Sequence, residues 1–144
     1  MLTRLALAAG LGALIGIERE WSQKSAGLRT NTLIALGSAL FTLMSVELSP
    51  GIPADPTRIA AQIVTGVGFL GGGAILRTAG SVKGLTTAAI IWVNAAIGMA
   101  AGGGHYRVAI YGALATLVVL QGLLPIERLM DRRHERRELP SGVE

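Results

Sequence analysis

The sequence has no cysteine, which excludes disulfides, thiolate metal sites and cysteine nucleophiles together and leaves the redox compartment unreadable. Its two histidines, His105 and His134, stand apart in separate connections, and neither has metal-ligand spacing around it. No serine-histidine-acid set or acid pair with a supporting loop is present. Charge is also scarce: 15% of residues are charged, against roughly 25% in soluble domains. Taken together, these shortages exclude an ordinary soluble enzyme.

Apolar length is what the chain has instead. Uncharged stretches run over residues 5–17, 30–46, 59–76, 84–104 and 108–126, together more than half of the 144 residues. A spanning helix needs ~17 to 25 mostly apolar residues, so four stretches qualify outright and the first does so if Arg4 snorkels to the interface. Too little remains for a second folded domain. The sequence therefore predicts an all-α polytopic membrane protein, a compact bundle of five transmembrane helices. The transmembrane domain covers 1–126, with spans at about 2–17, 31–48, 57–76, 85–103 and 107–125, and a charged cytoplasmic tail covers 127–144. Arg4 before an apolar run resembles a signal peptide, but four more spans follow with no convincing cleavage site, so the first is read as a retained helix.

The net charge of +4 and pI near 10.3 do not indicate nucleic acid, because the basic residues lie between the apolar runs; lipid phosphate is the fitting anion. Their distribution is lopsided. Arg19, Lys24, Arg29, Arg77, Lys83 and the five arginines of the tail fall on one side, and Arg4, Arg58 and Arg107 on the other. Basic residues in short loops favour the cytoplasm, which puts the N-terminus outside and the C-terminus in the cytoplasm. Between spans two and three, Asp55-Pro56 reads as a helix start, N-cap followed by proline at the first helical position.

Glycine is abundant, 20 of 144 residues. Each interior glycine costs a helix ~1 kcal/mol relative to alanine, so some other benefit must offset it. In lipid, small residues let helix backbones approach closely. The pairs Gly12 and Gly16, Gly68 and Gly72, Gly98 and Gly102, Ala96 and Ala100, and Ala109 and Ala113 all have the small-x-x-x-small spacing. They predict internal helix packing, with a homodimer face or a backbone-lined ion path, including a helix broken around Gly71 to Gly73, as competing uses. The string Gly66-Val67-Gly68-Phe69-Leu70-Gly71 matches a dinucleotide fingerprint by letter only: no strand precedes it and residues 84–104 contain no acid.

Ionisable residues at span edges are costly unless paired, so each is a candidate for function. Glu18, Arg19 and Glu20 end the first helix, where the helix dipole disfavours carboxylates, and Arg29, Arg77 and Lys83 are expected on the same side. Two readings stand: an ion-pair latch between Glu18 and Arg29, or acids that bind Mg2+ or a proton. As metal ligands, Glu18 and Glu20 lie about 200° apart on a helix and meet at one ion only if the helix frays. Arg58 and Gln62 share a face one turn apart, and Asn31, Thr65, Thr86, Thr87 and Asn94 are polar groups inside apolar runs, fitting interhelical hydrogen bonds or a pathway lining. The tail interleaves charges at helical spacing beside the membrane, a solvated helix or a holder of anionic lipid.

Four runs carry a specific resemblance: GALIGIERE (12–20), AGLRTN (26–31), RIAAQIVTGVGFLGGGAILR (58–77) and VKGLTTAA (82–89). Together they resemble the MgtC/SapB family of bacterial inner-membrane proteins over roughly residues 5–104. The resemblance implies a multi-pass inner-membrane protein, non-enzymatic, linked to growth under magnesium limitation and to membrane-energy regulation, in a virulence-associated family. It implies no cofactor other than Mg2+. At family level only, it implies a membrane protein partner such as the ATP synthase; membrane lipids and a second copy in a homodimer are expected from the basic residues and the small-residue spacing. Against the longer members the chain is expected to be a short form without their soluble C-terminal domain, and it has Thr86 where some members have asparagine. The site positions implied are Glu18, Arg19, Glu20, Arg29, Asn31, Arg58, Gln62, Arg77 and Lys83, nearly the set the residues themselves suggest; the residues themselves add Thr86 and Asn94 to the polar site. The competing reading is a Mg2+ or proton transporter or channel with Glu18 and Glu20 at its cytoplasmic mouth.

Overall fold

A computed structural model describes residues 1–48, 57–78 and 80–125. Five helices account for most of them: α1 Leu2–Trp21, α2 Leu28–Glu47, α3 Thr57–Gly73, α4 Leu85–Gly102 and α5 Tyr106–Gly122. The helix ends follow local backbone chemistry. At the end of α1, Gln23 takes a left-handed conformation (φ 51°), its N–H donating to the Glu20 carbonyl while Lys24 N–H donates to Arg19. The same pair of bonds closes α4, where Gly104 (φ 82°) donates to Ala101 and His105 to Ala100. Both are Schellman closures, which satisfy carbonyls that the helix leaves free.

The all-helical expectation needs one addition. α3 stops at Gly73, short of the predicted end at 76, because three successive glycines weaken the helix there. The helix is continuous up to that point rather than broken around Gly71. The chain then forms a short antiparallel hairpin, β1 Leu76–Thr78 and β2 Ser81–Lys83, pairing Leu76 with Lys83 and Thr78 with Ser81. α1 runs past the predicted 17 to Trp21 and α2 begins at Leu28, before the predicted 31, so Glu18, Arg19, Glu20 and Arg29 are helical.

Among the described residues, α4 is the one helix both long and apolar enough to cross a membrane. The apolar parts of α3 and α5, Ala60–Gly73 and Tyr106–Gly122, are shorter. α1 carries charge at both ends, and α2 is diluted by Arg29, Asn31 and several serines and threonines. The predicted helix start at Asp55-Pro56 and the charged tail lie outside the described residues.

α2 sits between α1 and α4, and glycine decides how closely. A side chain on Gly12 would meet the Ala35 side chain at 2.7 Å, and one on Gly16 would meet the Leu28 backbone at 2.7 Å. On the other side, the backbone of Ala35 occupies the place a Gly98 side chain would need, and a side chain on Gly102 would meet the Ala39 carbonyl at 2.6 Å. Such contacts are closer than real side chains tolerate, so the three backbones are interlocked. α3 packs mainly on α4 through Ile63, Val67, Ile91 and Ala95. α5 packs on α4 and α1, burying Ala109 and Ala113 completely. Gly68 and Gly72 do not join this packing: among the described residues a side chain on either meets nothing within 4 Å, because α3 turns them away from those neighbours.

Candidate functional site

Polar residues gather along one face of α4 and where it meets α1 and α2. Asn94, wholly buried, donates from Nδ2 to the Asn31 carbonyl at 2.7 Å and to Asn31 Oδ1 at 3.1 Å. Asn31, also wholly buried, turns its own amide to the carbonyls of Ala26 and Gly27, the latter at 3.0 Å. One asparagine thus holds the turn before α2, and the second ties that helix to α4. Asn94 Oδ1 has no hydrogen-bond partner.

Seven residues before Asn94, about 10 Å along the helix, Thr87 forms the second part of the site. Its hydroxyl lies 3.4 Å from Arg19 Nη2 and 3.5 Å from Ser25 Oγ. Arg19 is only 4% exposed and its Nε lacks a partner. Glu18, 8% exposed, accepts from Ser22 at 2.8 Å through Oε1 and leaves Oε2 unpaired. A buried cation and a buried carboxylate are thus held side by side, each with an open valence, in surroundings where an unmade bond costs ~1 to 3 kcal/mol or more.

The remaining sequence candidates separate by role. Glu20 Oε2 accepts the Leu28 N–H at 3.1 Å, capping α2, and the positive end of that helix offsets its charge. Glu18 and Glu20 therefore point to different partners, as their separation around an unfrayed helix requires, and do not converge on one ion. Among the described residues no group of three histidine, aspartate or glutamate side chains could hold a metal. The latch expected between Glu18 and Arg29 is not formed: Glu18 bonds to Ser22, and Arg29 is exposed with no ion pair among the described residues. Arg58, Gln62, Arg77, Lys83 and Thr86 are likewise exposed. Arg4 does not simply snorkel outward; its guanidinium donates to the Gly102 carbonyl at 3.1 Å, a cation at the negative end of α4.

Sequence reasoning set Thr86 among the site residues where the structure buries Thr87, and it missed Ser22 and Ser25. The phase of α4 held the signal, since Thr87, Asn94, Gly98 and Ala101 fall on one helical face and Thr86 lies 100° from it. Ser22 and Ser25 depend on the fold of the turn and had no such signal.

A sequence profile of the MgtC family matches residues 5–129. The chain belongs to the MgtC family. It is 49% identical over 138 residues to "Putative magnesium transporter YhiD" of Escherichia coli K12, covering 91% of this chain and 64% of that protein. It is 52% identical over 110 residues to "Protein MgtC" of Salmonella typhimurium LT2, covering 76% of this chain and 45% of the relative. A protein of Synechocystis, "Uncharacterized protein slr0014", is 47% identical over 132 residues, covering 92% of this chain and 56% of its own length. The chain therefore spans less than two thirds of the length of these curated MgtC relatives. No solved structure matches it significantly.

Proposed function

We propose that this MgtC-family chain is a non-enzymatic, multi-pass inner-membrane protein that serves magnesium homeostasis and membrane-energy regulation through the polar face shared by α1, α2 and α4. Five spans fit its surface, because its burial pattern is inverted relative to a soluble protein, and the basic residues gathered at the hairpin end fit its placement in the cytoplasm. α2 buries Asn31, Ser38 and Ser45 while exposing Leu33 and Phe41, and Phe69 on α3 is 84% exposed. Lipid accommodates that distribution and water does not. α3 and α5, 17 residues each, lie at the short end of the spanning range.

The observation that carries the reading is the buried pair Glu18 and Arg19 with open valences, joined through Thr87 to the face bearing Asn94. Intramembrane ionisable groups are retained at a cost and mark function. A regulatory role fits better than a cation channel: five basic residues flank this end against Glu18 and Glu20, and the cleft between α2 and α3, lined mostly by apolar residues, includes neither acid.

Complementation tests this. In a bacterial strain lacking its own copy, the wild-type chain should restore growth at low Mg2+, and Arg19→Gln and Asn94→Leu should not, at equal membrane abundance. Full restoration by both variants would sink the reading. Proteoliposomes separate the transporter alternative: Mg2+ flux above empty vesicles, lost in Glu18→Gln, would replace regulation by transport.

A further inference from the structure

Between α2 and α3 the bundle is open to its surroundings. A cleft of about 500 Å³ runs there, lined by Leu33, Gly37 and Phe41 on α2 and by Gln62, Gly66 and Leu70 on α3. Each set is spaced by four residues, so the cleft follows both helix axes for ~12 Å. That is most of one leaflet, half of a hydrocarbon layer ~30 Å thick. The width comes from missing side chains: a Cβ on Gly37 or Gly66 would meet nothing within 4 Å. Its volume falls in the range of small-molecule sites, ~300 to 1,000 Å³.

One end of the cleft is basic. Arg29 stands four residues before Leu33, one turn beyond the cleft's lining toward the end that carries the hairpin and on about the same face of α2; it is exposed, with no hydrogen bond or ion pair among the described residues. Arg77 and Lys83 of the hairpin are exposed at that same end. An apolar channel one leaflet long that ends at unpaired cations matches a lipid with a negatively charged headgroup. A second copy of the chain fits less well. Two copies with the same membrane orientation, related by a two-fold axis, would bring each Arg29 to the height of the partner's, like charge against like.

We propose that this cleft is a binding site for an anionic phospholipid, one acyl chain lying between α2 and α3 and the headgroup phosphate held by Arg29. The site rests on the membrane placement proposed above. Native mass spectrometry tests it on the protein reconstituted in nanodiscs of equal phosphatidylglycerol and phosphatidylcholine and then released. The wild type should retain phosphatidylglycerol over phosphatidylcholine about fivefold, the effect of one interfacial cation. Arg29→Gln should bring that ratio close to one. Gly66→Phe, and independently Gly37→Leu, should reduce retention of both lipids while helical content stays as in the wild type. No headgroup preference in the wild type, or undiminished lipid in the filled variants, would overturn the site. So would a change of oligomeric state in those variants, which would assign the cleft to a second copy. A protein that disperses without detergent would defeat the membrane placement itself, a result distinct from a detergent-requiring protein with no lipid preference.

Discussion

Where α2 meets α1 and α4, Gly12 and Gly98 bring both helices onto the same residue, Ala35. Where α2 faces α3, Gly37 and Gly66 line an open cleft in which nothing takes the place of the absent side chains. Glycine therefore serves two ends in one bundle. In the α1, α2 and α4 core it lets backbones touch, while on the α2 and α3 flank it keeps helices from filling the space between them. The polar site belongs to the first region, where close approach lets Asn94 reach the Asn31 backbone. The cleft belongs to the second.

Substitutions can break this contrast. Gly98→Leu drives a side chain into the Ala35 backbone, and because backbone cannot yield as a side chain does, it should cost about 3 kcal/mol or more. A thermal melt in detergent within the wild-type range would show that α4 does not rest on α2 in this way. Asn94→Leu deprives Asn31 Oδ1 of its donor and should cost about 1 to 2 kcal/mol. Combined with Asn31→Ala, it should be non-additive by at least ~0.5 kcal/mol, so strictly additive losses in a double-mutant cycle would argue against the clasp.

Glu20→Ala removes the α2 cap, at about 1 kcal/mol, and should speed hydrogen exchange at the Leu28 amide in particular. Unchanged exchange there would mean the carboxylate is not its acceptor. The smallest effect has the opposite sign. Gly68→Ala adds a methyl group in open space on a helix and should stabilise by up to about 1 kcal/mol. Destabilisation on chemical unfolding would reveal a neighbour at this position and erase the difference between the two regions.

Much of the bundle was legible in the residues. Apolar runs located the five helices, and the polar interruptions Glu18, Arg19, Asn31 and Asn94 marked the buried site, because an uncompensated polar group inside an apolar run is costly enough to signal a partner. The small-residue spacing was less informative. Gly68 and Gly72 read the same as Gly98 and Gly102, yet α3 turns its pair away from every neighbour among the described residues. The spacing places two small residues on one face of a helix and says nothing about what that face meets. The Glu18 to Arg29 latch failed for a similar reason: opposite charges at one end of a bundle do not pair unless the turn between them aims both side chains inward.

Composition and the length of the apolar runs determined by themselves the helical, apolar character of this chain and its uneven charge, since these depend on transfer energies and helix propensities that each segment carries alone. Which acid caps a helix and which stays buried, which threonine faces inward, and whether a glycine closes an interface or opens a cleft were decided only in the folded bundle. Those outcomes depend on the rotation of each helix about its own axis, and that rotation is set by simultaneous contact with neighbours distant in sequence.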